Sequence, residues 1–166
     1  ISADSVNTNE GDATISFSLR AKDNLSGVKS AFLTLQTTIQ GNNQVVTSTF
    51  RKTSGDNKDG EYKADYTIPQ FTNAGTWNIF GITLYDEVDN RLDINKDDLK
   101  NVYGFKNSFE VTNTIPDNQK PELVNFSISA DSVNTNEGDA TISFSLRAKD
   151  NLSGVKSAFL TLQTTI

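Results

Sequence analysis

One long exact repeat constrains the fold of this chain more than any other feature of its sequence. Residues 1–39 read ISADSVNTNEGDATISFSLRAKDNLSGVKSAFLTLQTTI, and residues 128–166 repeat them letter for letter, at an offset of 127 residues. Self-similarity at a fixed period is the signature of an array of structural units, and a period of 127 residues has the size of a typical domain. We therefore expect tandem repeats of 127 residues, with the chain beginning just inside one unit and stopping inside the next.

The repeat also sets the expected boundaries. We expect the first unit to span residues 1–113 and to lack most of its first strand, and a linker to span residues 114–121. The opening three strands of the next identical unit are expected in residues 122–166. The linker contains Pro116 and Pro121. Since proline removes a backbone donor and holds the preceding residue extended, this connection should be short and fairly stiff.

Alternation of apolar and polar residues predicts strands on both sides of the linker. The cleanest example is residues 141–148, whose pattern appears in the first copy with an inward face of Ile15, Phe17, Leu19 and Ala21. A period of two with β-branched and aromatic residues is typical of a half-buried strand. A second half-buried strand is predicted just after the linker, with one face formed by Val124, Phe126 and Ile128. Residues 28–38, and their second copy, are predicted as the strand that follows.

The remainder of the period continues in the same manner. Residues 76–85 (TWNIFGITLY) are apolar on both faces, which indicates a central strand. A short helix is predicted at residues 97–102, and a last strand is predicted to contain Phe105, Phe109 and Val111. About seven short strands, regular turn signals and no helix long enough for a crossover predict an all-β fold, an antiparallel β-sandwich.

Composition excludes several classes of function. The net charge is −6, and no basic patch is apparent, so we expect no nucleic acid partner. No run of 18 apolar residues is present, so we expect no direct membrane insertion. The chain has no cysteine and no histidine, which removes the thiolate nucleophile, the commonest general base and the commonest zinc ligand. We expect that the chain is not an enzyme.

Four stretches together resemble bacterial immunoglobulin-like repeats: KPEL (120–123), AKDNLSGV (21–28), GTWNIFGITLYD (75–86) and DDLKNVYGFKNSFEV (97–111). Such repeats occur in adhesin stalks, in filament subunits and as spacers in exported hydrolases. The resemblance implies an immunoglobulin-like sandwich, an extracellular or bacterial cell-surface location, and a non-catalytic structural role in a stalk, adhesin or filament. It also leaves open a glycan- or protein-binding module and a spacer domain of an exported hydrolase. One departure is DEVDN at residues 86–90, where similar domains often carry a glycine.

A cluster of oxygen ligands is the best candidate site. An immunoglobulin-like topology would bring two loops to the same end of the sandwich, and their polar residues are Asp23, Asn24, Ser26, Asp86, Asp89 and Asn90. Calcium prefers carboxylate, amide and carbonyl oxygens, so Ca²⁺ is one interpretation. The other is that these residues only form turns, because Asp and Asn hydrogen-bond their own backbone. The opposite end, with Asn7, Asn9, Glu10 and Asp12, is predicted as a second place for an ion or a polar contact between units.

Two further alternatives concern aromatic residues and partners. Trp77 could be a sugar-stacking platform, but its apolar strand favours a position in the core, and Tyr62 and Tyr66 also have the pattern of core-facing residues. The duplication means that two identical segments can compete for one place in the fold. Expected partners are therefore neighbouring repeats of the same chain, which we favour, or identical chains joined in a fibre or by strand exchange.

Overall fold

A computed structural model describes residues 1–39 and 42–164 of the chain. The chain divides into two compact units, Ile1–Pro116 and Asp117–Ile166. The fold is all-β, as the alternating sequence pattern predicts, and the first unit is a nearly closed, barrel-like mixed sheet. None of the helices in the described ranges is long and apolar enough to cross a membrane.

The first unit contains eight strands and one short helix within the described residues. Their bounds are β1 Ser5–Asn7, β2 Ala13–Lys22, β3 Val28–Ile39, β4 Asn42–Gly55, β5 Asp59–Ile68, β6 Gly75–Asp86, β7 Arg91–Asn95, α1 Lys96–Asn101 and β8 Ser108–Thr112. The second unit contains β9 Glu122–Ile128 and β10 Phe144–Lys149.

The strand order of the first unit is β1-β8-β6-β3-β4-β5-β2, with β7 added alongside β6. Every pair is antiparallel except β1 with β8, which is parallel and matches Ser5 with Glu110 and Asn7 with Thr112. The expectation of a wholly antiparallel sheet is therefore wrong at this pair, because the first strand lies beside the last strand and runs in the same direction. Just before β1, the Ser2 N–H donates to the Ser16 carbonyl at 2.8 Å, which brings the two ends of the sheet together.

Strand β4 belongs to two parts of this sheet. Its first part, up to Phe50, pairs with β3, and its last part, from Arg51 to Gly55, pairs with β5. The same strand thus connects the β1-β8-β6-β3 part of the sheet to the β5-β2 part.

The core lies between these two parts and is filled by alternate residues of the strands. On β2 the predicted inward residues Ile15, Phe17 and Ala21 are buried and Leu19 is partly buried. Trp77 on β6 is only 4% exposed and stacks on Phe109 with ring centroids 6.2 Å apart. The predicted core position of Trp77 is confirmed, and burial of an aromatic side chain of this size stabilises the fold by about 2–3 kcal/mol.

Helix α1 begins where the sequence supplies a cap. The Asn95 side chain accepts hydrogen bonds from the backbone N–H groups of Asp97 and Asp98 at 2.9 and 3.0 Å, and Leu99 anchors the helix in the core. The predicted helix at residues 97–102 is confirmed to within about one residue. The strand after it starts only at Ser108. The placement of Phe105 in that strand was wrong, and its side chain is 60% exposed.

The second unit has the same sequence at its start but less structure. Strands β9 and β10 form an antiparallel pair, whereas residues 155–164, the copy of β3, form no strand. The expected third strand of residues 122–166 is therefore not formed within the described residues, and residues 165 and 166 lie outside them. In the first unit β3 lies between β4 and β6, and the second unit contains no counterpart of either. For the same reason the predicted half-buried face of Val124, Phe126 and Ile128 is exposed.

Candidate functional site

Three turns meet at one end of the first unit, as the sequence predicted for two of them. The Glu87 N–H donates to the Gly27 carbonyl at 3.0 Å, and the Val28 N–H donates to the Asn57 carbonyl at 2.6 Å. Gly27 has a φ of +95°, and a Cβ there would lie 2.8 Å from the Cβ of Asn57. Glycine is required at this position because both the backbone conformation and the close approach of residue 57 exclude a side chain.

The Asp23 carboxylate serves its own turn. Its Oδ1 accepts hydrogen bonds from the N–H groups of Gly27 at 2.7 Å and Leu25 at 3.0 Å, and these bonds, led by that of Gly27, lower the pKa of Asp23. In the second unit, Asp150 accepts the same two bonds from Gly154 and Leu152, at 2.9 and 3.1 Å. Since the second unit contains no copy of the 86–90 turn, the sequence of this loop alone is enough to position the carboxylate.

Asp86 organises the turn between β6 and β7 in the same way. Its Oδ1 accepts from the N–H groups of Asn90 at 2.7 Å and Val88 at 3.0 Å, and its Oδ2 accepts from the Asn90 side chain at 2.7 Å. Burial raises the pKa of the Asp86 carboxyl, but the bonds from Asn90, Ser26 and Val88 outweigh it, so the pKa lies below its usual value. The turn closes without glycine because Asp89 adopts a φ of +65°, which aspartate tolerates better than most residues.

The remaining predicted ligands do not complete an ion site. Asp89 forms an ion pair with Lys29, Nζ to Oδ1 2.6 Å, and the hydrogen bond from Asp89 raises the pKa of Lys29. Asn24 is exposed. In the part of the chain that the structure describes, no group of three or more acidic, histidine or cysteine side chains is arranged to hold a metal. The structure brings Asp23 and Asp86 together, but their oxygens accept hydrogen bonds from their own turns, which favours turn formation over calcium binding.

The polar loop at the opposite end also fastens the chain to itself. The side-chain oxygens of Asn7 and Asn9 accept from the N–H groups of Asn9 and Thr114, both at 2.8 Å. Asp12 accepts from the Gln70 N–H at 2.8 Å. These residues, with Glu10, line a shallow depression of about 400 Å³. Within the first unit, the loop therefore ties the end of β1 to the segments that follow β5 and β8.

The seam between β1 and β8 is a feature that sequence reasoning missed. Besides the strand pairing, the Glu110 N–H donates to the Asp4 carbonyl at 2.9 Å, and the Thr8 N–H donates to the Thr112 carbonyl at 3.1 Å. Asp4 also forms an ion pair with Lys106, and this hydrogen bond lowers the pKa of Asp4. A strand of three residues is too short to carry an alternation signal, so no pattern in the sequence could have placed β1 beside β8.

An exposed aromatic pair also went unpredicted. Tyr103 and Phe105 follow helix α1 and stack on each other with ring centroids 5.7 Å apart and planes 18° from parallel. Both rings are exposed. Gly104 between them has a φ of +68°, and the sequence Tyr-Gly-Phe directly after a capped helix is the signal that could have identified a turn here rather than a strand.

Comparison with known proteins adds a family but no activity. The sequence model of a family described as a domain of unknown function, DUF7035, matches residues 1–115. No curated protein matches the chain. Among solved structures, a leucine-rich repeat protein from Bacteroides thetaiotaomicron is 19% identical with a TM-score of 0.38, over 61% of this chain and 11% of that protein. A TM-score this low does not establish a shared fold, and the chain spans only about a tenth of that protein.

Proposed function

Since this chain belongs to the DUF7035 family, a domain of unknown function, we propose its role from its own geometry. It is a non-catalytic structural repeat that transmits tension along an extended stalk, adhesin or filament outside a bacterial cell. The observation that carries the proposal is the parallel seam between β1 and β8, the first and last strands of the first unit.

The direction of these strands determines how the unit responds to force. Because β1 and β8 are parallel neighbours, a pull on the two ends of the unit slides one strand along the other. The hydrogen bonds of the seam then share the force, whereas strands pulled apart from one end lose their bonds one after another. The bonds from Thr8 to Thr112 and from Glu110 to Asp4, with the ion pair of Lys106 and Asp4, extend the seam beyond the three paired residues.

The strand pairings also support an immunoglobulin-like interpretation of the sheet. The pairs β2–β5, β3–β6 and β6–β8, with β1 beside β8, match the order of strands in an immunoglobulin-like sandwich. In this interpretation β2, β5 and the end of β4 form one layer, and β1, β8, β6, β3 and the start of β4 form the other. Tandem copies of this unit, joined by proline-containing linkers, form the stalk. The extracellular location follows from the resemblance to surface repeats.

Single-molecule force spectroscopy tests the proposal. The chain has no cysteine, so handles can be attached through cysteines introduced at positions 1 and 116. Val6→Pro in β1 should lower the unfolding force clearly, because proline removes a donor and restricts the strand backbone. Val133→Pro changes the second copy of the same residue, which lies in no strand, and should leave the force unchanged. A wild-type unfolding force as low as that of Val6→Pro would contradict the proposal.

A second candidate is a glycan-binding module, favoured by the exposed stack of Tyr103 and Phe105. Exposed aromatic rings are suited to stacking on sugars because they offer an apolar face at low entropic cost. Titration with soluble cello- and malto-oligosaccharides, followed by NMR, tests this candidate. Binding that is lost in Tyr103→Ala and retained in Phe80→Ala, a change at another exposed ring, would support it. Unchanged spectra at millimolar sugar would exclude these two sugar classes.

A further inference from the structure

Strand β2 leaves an open edge in the first unit. It is the last strand of the sheet order, and over its residues Phe17 to Lys22 no strand lies on its outer side within the described residues. The same six residues, FSLRAK, recur in the second unit as β10 (Phe144–Lys149), where their edge is covered by β9. One sequence is therefore seen once with and once without a neighbouring strand.

The two copies prepare this edge in the same way. In the first unit the Ser2 N–H donates to the Ser16 carbonyl at 2.8 Å, and the Ser16 N–H donates to the Ser2 Oγ at 3.0 Å. In the second unit Ser129 and Ser143 form the same two bonds, both at 2.9 Å. In the second unit this pair of bonds leads directly into the β9–β10 ladder. The first unit thus holds the start of the same ladder.

We propose that the β2 edge binds strand β9 of a second copy of this chain. The register is the one seen between β9 and β10, which places Phe126 opposite Leu19, Asn125 opposite Arg20, and Glu122 opposite Lys22. Beyond Ile128 the incoming chain has the same sequence as residues 1–7. It can therefore take the place of that segment without a change in any side chain, and no clash arises where the two meet.

Charge complementarity favours this occupant. In the second unit Glu122 pairs with Lys149, Oε2 to Nζ 3.0 Å. Lys22 is the first copy of Lys149, and its side chain is 63% exposed, so it is accessible to an incoming glutamate while it also contacts Asp59. The neighbouring Arg20 adds a second exposed cation. An acidic residue at the start of β9 thus meets two basic side chains in this register.

Burial favours the exchange over the pairing within the second unit. Phe126 is 48% exposed where it lies, because β10 is not backed by a complete sheet. On β2 it would lie beside Leu19, a partly buried residue at the margin of a finished core. Since strand addition combines main-chain hydrogen bonds with burial of alternate side chains, the segment gains apolar contacts by moving to the first unit of another chain.

This inference does not rest on the proposed mechanical role, because an edge can bind a strand whether or not the unit carries tension. It has a consequence for assembly. The donor strand and the acceptor edge are on different units, so the contact is heterologous, and each chain can donate to one neighbour and accept from another. The product is an open, head-to-tail series.

Disulfide trapping between two single-cysteine chains tests the register. Arg20→Cys in one chain and Asn125→Cys in the other would place the two sulfurs opposite each other, since directly opposed residues in an antiparallel pair are close enough for a disulfide. The matched control replaces Arg51, an exposed arginine on β4, by cysteine. Mixed and oxidised at micromolar concentration, the first pair should form roughly tenfold more covalent heterodimer than the control pair. Equal yields from the two pairs would overturn the proposal.

A second measurement does not depend on cysteine. Hydrogen exchange at residues 17–22 should slow as the concentration of the unmodified chain rises, and the effect should be absent in Phe126→Asp, which places a charge at the apolar contact. Residues 61–64 of β5 report on global stability and should not change. Exchange at residues 17–22 that is independent of concentration would overturn the proposal even if crosslinks form.

Discussion

Leu33 and Leu160 are the same residue in the two copies of the repeat, and they lie in opposite environments. Leu33 on β3 is 0% exposed and lies in the core, whereas Leu160 is 51% exposed in a segment that forms no strand. Replacement of each by alanine therefore makes the same chemical change in the same local sequence. Any difference in the free energy of unfolding comes from tertiary packing alone.

The expected magnitudes differ severalfold. Leu33→Ala removes a fully buried side chain and leaves a cavity, which costs about 2–5 kcal/mol. Leu160→Ala should cost no more than about 0.5 kcal/mol, because half of its surface is already in water. The assay is urea unfolding followed by fluorescence of Trp77, the single tryptophan, which is buried in the first unit. With an m-value of about 1–3 kcal/mol/M, a loss of about 3 kcal/mol lowers the midpoint by roughly 1–3 M urea.

A specific result would refute this reasoning. If Leu160→Ala lowered the Trp77 midpoint as much as Leu33→Ala does, the second copy would be occupying the core in a large share of molecules. A midpoint shift below about 0.3 M urea for Leu33→Ala would show instead that the core tolerates the cavity, against the burial seen for β3.

Three further predictions follow from the turns and the charges. Gly27→Ala should destabilise the first unit by more than about 1 kcal/mol because of its positive φ and the contact with Asn57, whereas Gly154→Ala, which meets open space, should not lower the Trp77 urea midpoint; equal effects would contradict the role of that contact. Hydrogen bonds from Arg20 and then Lys22 hold the pKa of Asp59 at about 2, below the model value of 3.8; its contribution to stability is present above about pH 4 and lost as pH falls towards 2, so the melting-temperature difference between wild type and Asp59→Asn should shrink over that range, and a constant difference would contradict it. Calcium at 10 mM should leave the melting temperature unchanged relative to chelator, because a site with a Kd of about 10⁻³ M would add about 1.4 kcal/mol and a clear shift.

The inward face of β2 could be predicted from the sequence because its alternation is strong and both of its layers are local. The turn at Asp23 could be predicted for the same reason, and its hydrogen bonds recur at Asp150. These features depend on neighbours within a few residues in the chain. They are therefore present wherever the sequence is present.

The fate of β3 could not be predicted from its own letters. Residues 28–39 form a strand that contributes core residues, and the identical residues 155–164 do not, because a strand forms only when partners on both sides satisfy its backbone and cover its side chains. The parallel pairing of β1 with β8 joins Asn7 to Thr112, and no local pattern encodes such a separation. The calcium hypothesis depended on residue type alone, and residue type does not show that the carboxylate oxygens already accept hydrogen bonds from their own turns.

Strand β4 has a consequence for the way the first unit opens. Because its residues up to Phe50 hold β3 and its residues from Arg51 hold β5, neither part of the sheet can detach while this strand stays in place. Partial opening of one layer alone is thereby suppressed, and unfolding should be all-or-none, with amides on β2 and on β6 exchanging at one common opening free energy. Such a unit does not loosen gradually; it stays whole until it gives way in a single step.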